Sequence, residues 1–349
     1  MVLGKTPSEG VIARALGAFP EVGRARAAPL RGGLINLTYA VEGERGSFIL
    51  QRLSAIFDPA IHHNIVAVTE RLRARGLQTP VLLRASDGRP WADLGEDGIW
   101  RVMTRVSGVS HDTVQGPAQA WAAGGLVARF HSALADLSYT FQAVRQGVHD
   151  TPNHLRNLER ALKDHPGHRL HGEVAALARE LFAAIDALPA IGAQRSWVVH
   201  GDLKISNLLF APGDPAQAVC LVDLDTVGRM PLWQELGDAW RSWCNPRGED
   251  VSSASFDHAI FAASLAGYRD SLTVPLHAEE RAALAAAPEW IALELTARFA
   301  ADALNERYFG WDRGRFPAAG EHNLLRARGQ LALARAAAKG RDERASLLV

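Results

Sequence analysis

His200-Gly201-Asp202-Leu203-Lys204-Ile205-Ser206-Asn207, followed by Leu221-Val222-Asp223-Leu224-Asp225, is the stretch that decides the fold. It supplies an Asp, an Asn five residues on, and a further Asp after an apolar run. Phosphoryl transfer asks a protein for such a set. One carboxylate, Asp202, orients an acceptor hydroxyl and takes its proton; an amide and a second carboxylate, Asn207 and Asp223, hold Mg²⁺ on nucleotide phosphates. Asp225 is either a further ligand or a support behind the metal. Apolar runs flank both halves. Trp197 to Val199 reads as a strand entering a loop, and Leu208 to Phe210 with Val219 to Val222 as a hairpin turning at Ala211-Pro212-Gly213-Asp214. This layout is expected to bring Asp202, Asn207 and Asp223 to one end of one small sheet. A D-x-D pair also serves metal-dependent glycosyl transfer, but the upstream H-G-D-x-x-x-x-N argues against that use.

Outward from this stretch, the chain changes character once. Ser8 to Phe19 has apolar residues at helical spacing, with Ser8 placed to cap. The next eighty residues read mainly as β: Leu37 to Val41 and Ser47 to Leu53 around Glu42-Gly43-Glu44-Arg45-Gly46, then Pro80 to Leu83 and Ile99 to Thr104, with one helix from Pro59 to Arg75. After Val106-Ser107-Gly108, alanine-rich helical patterns dominate: Gln115 to Leu137, Asn153 to Lys163, Gly172 to Leu188, Ser253 to Leu272 and beyond Glu279. The expectation is an α+β protein of two lobes, a β-rich one over residues 1–104 and a mainly helical one over 105–349, hinged near 103–110. The 349 residues carry 38 Lys+Arg against 38 Asp+Glu, a balance that offers no general attraction to nucleic acid or anionic membrane. Two cysteines, Cys220 and Cys244, make no disulfide framework, and no apolar run is long enough to span a bilayer. A cytoplasmic location is the default expectation.

H-G-D-L-K-x-x-N with a downstream V-D-L-D resembles the aminoglycoside phosphotransferase and choline kinase superfamily, small-molecule kinases that share the protein-kinase fold. Gly32-Gly33-Leu34-Ile35-Asn36-Leu37-Thr38-Tyr39, Phe48 to Arg52, Trp100 to Met103, His149-Asp150-Thr151, Arg298-Phe299 and His322 to Arg328 are similar to the N-acetylhexosamine 1-kinase branch. The resemblance implies ATP between the lobes, with adenine near Met103 to Val106. It also implies that Lys204 neutralises charge on the transferring group, that His200 braces the loop, and that Asp238 supports the catalytic loop from beneath through backbone hydrogen bonds.

Two further elements concern the nucleotide. Gly32 and Gly33, leading to Asn36, form a loop whose backbone N–H groups can approach phosphate closely. No G-x-x-x-x-G-K-[ST] loop occurs, which excludes a P-loop enzyme. Kinase-like folds place a cation on the third strand, paired with a helix Glu. Here Gln51 occupies that slot and Arg52 points to the opposite face of a regular strand; either Arg52 reaches the nucleotide through a local bulge or Gln51 gives a weaker, uncharged contact, and Glu70 is the expected helix partner.

For the acceptor, Ile291, Leu295, Arg298, Asp302 and Phe309 share one stripe of a helix. Charge on an apolar stripe needs a partner, and an i,i+4 Arg298–Asp302 pair supplies one. Arg298 is expected at the floor of an acceptor pocket, with His149 on its wall and Tyr308 or Trp311 as a platform for a sugar ring; Trp233, Trp240 and Trp243 lean the same way. The branch resemblance implies transfer to the anomeric hydroxyl of an N-acetylhexosamine. Leu34 departs from the polar residue, commonly His, found there in that branch, which shifts the sugar preference or signals another acceptor. The rivals are an aminoglycoside, a choline-like alcohol or homoserine as acceptor and, outside catalysis, a nucleotide-binding pseudokinase.

Overall fold

The computed structural model describes residues 7–30, 36–144, 147–307 and 311–348. Gly32, Gly33, Leu34, Tyr308 and Phe309, named above for the nucleotide loop and the acceptor stripe, lie outside the described residues.

Helix α1 (Glu9–Gly17) opens the chain, and the Ser8 hydroxyl accepts from Val11 N as its cap. Five antiparallel strands follow, β1 (Ala25–Pro29), β2 (Leu37–Gly43), β3 (Gly46–Arg52), β4 (Ala92–Asp93) and β5 (Ile99–Thr104), in the spatial order β1-β2-β3-β5-β4. Between β3 and β4 lies α2 (Ile61–Ala74). Two details differ from the sequence reading. β1 is an additional edge strand, short in apolar residues and mostly exposed. Pro80 to Leu83 makes a single bridge, Leu82 to Met103, because Pro80 donates no ladder hydrogen bond and the segment leaves the sheet at once.

The second half is mainly helical. It runs α3 (Pro117–Leu134), α4 (Thr151–Asp164), α5 (His171–Asp186), β6 (Ser196–Val199), β7 (Leu208–Ala211), β8 (Asp214–Leu221), β9 (Gly228–Pro231), α6 (Leu232–Trp243), α7 (His258–Ser271), α8 (Ala278–Asn305), α9 (Ala319–Ala338) and α10 (Arg341–Leu347). α7 starts five residues after Ser253 because Asp257 caps it, accepting from Ala259 N and Ile260 N. β6–β9 form not one small sheet but two separate ladders, β6 with β9 and β7 with β8. The β7–β8 hairpin closes on Pro212-Gly213, with Gly213 at φ +80°.

Buried apolar residues gather in a small cluster under the β-sheet and a large one among the helices. In the large cluster α3 crosses α7 at backbone contact. A Cβ on Gly124 would lie 1.9 Å from the Ser264 carbonyl oxygen, and one on Gly267 would lie 1.9 Å from that of Trp121. No helix among the described residues is long and apolar enough to cross a membrane.

Candidate active site

The loop between β6 and β7 and the segment between β8 and β9 meet face to face. Val222 N donates to the Asn207 carbonyl at 2.9 Å, which seats the turn after β8 on the 3₁₀ turn Ile205–Asn207. His200, fully buried, joins them again: Nε2 lies 2.9 Å from the Val222 carbonyl and Nδ1 3.3 Å from Asp202 N. Thr226 Oγ1 donates to the His200 carbonyl at 2.9 Å. Gly201 sits at φ +82°, where a Cβ would lie 2.5 Å from the Thr226 carbonyl oxygen, so both the conformation and the close approach require glycine.

This docking groups the chemical side chains. Asn207 Nδ2 donates to the Asp202 carbonyl at 2.8 Å and to Asp202 Oδ2 at 3.1 Å, leaving its Oδ1 free. Lys204 Nζ lies 3.1 Å from Asp202 Oδ2. Burial alone would lower the Lys204 ammonium, but Asp202 outweighs it and holds the pKa above the usual value. Asp223 is a non-glycine residue in the left-handed region, φ 64° and ψ 58°, which is costly, and it is exposed. Dense protein on one side and the neighbouring Asp225 charge push its carboxyl above the ordinary range.

Asp225 has different surroundings. Its Oδ1 lies 2.5 Å from Arg101 Nη1, and its Oδ2 accepts from Asn36 Nδ2 at 2.7 Å. Burial would raise its carboxyl, but the Arg101 guanidinium outweighs burial and lowers it. With both oxygens engaged, Asp225 fits the support alternative rather than a metal ligand. A free amide oxygen on Asn207 and an uncommitted carboxylate on Asp223 are hard oxygen donors of the kind Mg²⁺ takes. No group of three His, Cys, Asp or Glu residues among those described makes a complete metal cage. The donor set therefore suits a Mg²⁺ whose shell is finished by phosphate oxygens and water.

Two assignments, Asp238 and Glu70, are corrected. Asp238 does not support the catalytic loop; Glu235, one turn earlier on α6, accepts from His200 N at 2.9 Å and Gly201 N at 3.0 Å. Asp238 instead accepts from Arg241 Nε at 2.9 Å and faces the cavity; burial opposes its charge, and Arg241 with His149 and Arg298 holds its carboxyl low. Glu70 is exposed and makes no ion pair, because α2 turns it away from the sheet. In its place α2 presents His62, fully buried, whose pKa falls to about 4 through burial and then the Arg101 charge. Arg52 lies against Gly98, on the other face of β3 from Gln51. Gln51 faces the site: its Oε1 accepts from Arg101 Nε at 2.9 Å and Nη2 at 2.7 Å, and its Nε2 donates to Thr38 at 3.1 Å. Met103, across from Ile49, and Val106 are half-buried where the sheet hands over to the helices.

Beside Asp202 opens a cavity of about 580 Å³. His149, Asp150, Gln234, Asp238, Arg241 and Arg298 supply its polar wall. His149 Nδ1 lies 2.8 Å from Glu294 Oε1, and Thr151 donates to Glu294 Oε2 at 2.6 Å. Burial would lower the His149 imidazole, but this fully buried carboxylate outweighs it and raises the pKa. Arg298 forms no ion pair with Asp302; among the described residues its guanidinium has no hydrogen-bond or ion-pair partner. No tryptophan lines the cavity. Trp240 donates to Ser264 and Trp243 to the Leu203 carbonyl, both in the core; Trp233 packs on Trp290, and Trp311 beside Arg313.

No individual role for Arg101, Glu235 or Glu294 follows from the sequence alone. Each is a charged residue inside an apolar pattern, in Ile99–Met103, Leu232–Leu236 and Ile291–Leu295, and that interruption was the available signal.

A two-lobed fold with an H-G-D loop docked on a D-x-D segment defines the class of kinase-like phosphotransferases. The sequence matches the model of the APH phosphotransferase enzyme family over residues 26–273, and the chain belongs to that family. It is similar to the solved structure of a microcompartment-associated aminopropanol kinase at 19% identity and a TM-score of 0.65, covering 96% of this chain and 98% of that one. The amicoumacin kinase hAmiN, solved with AMP-PNP, Ca²⁺ and Ami, matches at 16% identity and 0.63, covering 93% of each chain. An aminoglycoside phosphotransferase from Alicyclobacillus acidocaldarius matches at 15% and 0.64, covering 98% and 100%.

Proposed function

We propose that this phosphotransferase uses ATP and Mg²⁺ to phosphorylate a hydroxyl of a small, neutral polar acceptor, and that the acceptor is a sugar of the N-acetylhexosamine class, modified at its anomeric hydroxyl. The observation that carries the neutral acceptor is the charge balance of the cavity. Asp150 caps α4 through Asn153 N, Asp225 is paired with Arg101, and Asp238 with Arg241. Arg229 and Arg298 are the lining cations with no carboxylate ion pair among the described residues; Arg229 donates to the Leu137 carbonyl at 2.8 Å, and Arg298 is left to the acceptor. A polycationic acceptor would meet two guanidiniums, with Asp202 and the helix-capping Asp150 as the described lining carboxylates not paired to an arginine, whereas a neutral hydroxyl or amide carbonyl can accept from Arg298. The hexosamine assignment rests on the sequence resemblance, since no tryptophan or tyrosine is among the described residues that line the cavity.

In this reading Asp202 holds the acceptor hydroxyl and takes its proton as the new O–P bond forms and the bond from the γ-phosphorus to the ADP leaving group breaks. Asn207 and Asp223 would hold Mg²⁺, which when bound would supply positive charge beside the nucleotide phosphates. Lys204, paired with Asp202 in the free protein, is placed to face the transferring group once nucleotide enters. His200, Thr226 and Glu235 keep the loop rigid, so that catalysis comes from positioning and fixed charge.

The test is acceptor-dependent ADP release with Mg²⁺ across hexosamines, neutral sugars, aminoglycosides and amino alcohols. Turnover with an N-acetylhexosamine and a 1-phosphate product supports the reading. Preference for an aminoglycoside or amino alcohol overturns the neutral acceptor, and no release with any class favours a non-catalytic nucleotide binder.

A further inference from the structure

We propose that Arg101 is a positioning residue for the metal half of the site: the cation missing from β3 stands on the neighbouring strand β5 and acts through Asp225. This rests on the kinase reading above. Gln51 and Arg101 are direct cross-strand partners in the β3–β5 ladder, so their side chains share one face of the sheet. Gln51 Oε1 holds two guanidinium nitrogens of Arg101, and Gln51 Nε2 is itself tied to Thr38 on β2. The fork is thereby aimed at Asp225 across the cleft, with Arg101 1% exposed.

A kinase-like fold would send this cation to a helix carboxylate. Here α2 offers the neutral ring of His62 and turns Glu70 outward, so the carboxylate partner of Arg101 is Asp225. Asp225 also accepts from Asn36, which accepts in turn from Ser54 N at 2.9 Å. One chain of contacts thus runs from β2 and β3 through Arg101 into the short turn Leu224–Thr226, two residues from Asp223. Arg101 is too enclosed to touch phosphate. What it fixes is the backbone that holds Asp223 in its left-handed conformation. It also compensates the Asp225 charge, which leaves Asp223 as the free carboxylate.

The experiment is calorimetric binding of ADP with and without Mg²⁺, which needs no turnover. Wild-type protein is expected to bind ADP more tightly when Mg²⁺ is present; if it binds no nucleotide at all, the kinase reading fails first. Arg101→Lys keeps the charge but loses the fork. It is expected to keep Mg²⁺-free ADP affinity within about twofold and to lose about 10- to 100-fold of the Mg²⁺-dependent gain, the usual effect of removing a group that orients a metal ligand. An unchanged gain, or an equal loss with and without Mg²⁺, overturns the proposal. Gln51→Met gives an independent arm should Arg101→Lys not fold. It leaves the Arg101–Asp225 pair in place but unaims it, and a smaller loss of the same Mg²⁺-dependent kind is expected; a wild-type gain in that variant overturns the proposal as well.

Discussion

Glu235 on α6 accepts the backbone N–H of His200 at 2.9 Å and that of Gly201 at 3.0 Å, so one buried carboxylate fixes the entry to the catalytic loop. Glu235→Gln keeps the shape but turns one oxygen into a donor that faces an N–H. The expected cost is about 1–3 kcal/mol of stability, with a fall in turnover and little change in acceptor KM. Urea denaturation and steady-state kinetics check this. A variant as stable and active as the wild type would remove Glu235 from this role.

Asp202 is the group nearest the expected transfer chemistry. Asp202→Asn is expected to lower kcat by at least about 10²–10⁴-fold, the usual contribution of a positioned base, while ADP binding with Mg²⁺ persists. Full turnover in that variant would end the assignment.

Arg298 lines the cavity with no hydrogen bond or close ion pair among the described residues, and the acceptor is its expected partner. Arg298→Ala is expected to raise the acceptor KM by about 10- to 100-fold, as loss of a hydrogen bond to a charged group does, and to leave the KM for ATP unchanged. Equal shifts in both constants would show that the substitution disturbs the fold instead.

Asp302 gives a pH prediction with a definite sign. Burial pushes its carboxyl from 3.8 up to about 6, with Arg298 and Arg307 only partly offsetting the shift. The folded state therefore holds this proton more tightly than the unfolded state does. Stability from Asp302 is full below its unfolded value of 3.8 and is lost as pH rises through about 6. Relative to Asp302→Asn, the wild type should weaken across that window and stay level above it. Denaturation midpoints measured at stepped pH decide the point; a constant difference between the two proteins refutes it.

The parts of the site that are continuous in sequence are the legible ones. Asp202, Lys204 and Asn207 stand in one loop, and Asp223 follows one hairpin later, so residue type and spacing alone suggest their grouping. Arg101 meets Gln51 from 50 residues away, through strand register that no local pattern encodes. The Glu235 and Asp238 assignments fail for a related reason. Both lie on the same short helix, and which carboxylate turns toward the loop depends on how α6 packs on β6 and β9. The Arg298–Asp302 pair is a fair inference from helical spacing, yet a cavity beside Arg298 removes the need for an internal partner. The β-rich front and helical back are readable because period-two patterns dominate before Val106 and period-3.6 patterns after it, although α1 and α2 interrupt the one and β6 to β9 the other.

The crossing of α3 over α7 bears on how substitution maps of this protein are to be read. Alanine is the customary blank in such maps, a side chain cut back to nothing of interest. At Gly124 and Gly267 it is an addition, a methyl group driven into the opposing carbonyl on each helix. An alanine scan will therefore register loss at two positions where nothing was taken away. Because each glycine abuts the other helix's main chain, a bulkier residue on one cannot be accommodated by trimming the other. The two sites behave as a single lock with two wards, and sequence drift can pass it only by moving the helices apart.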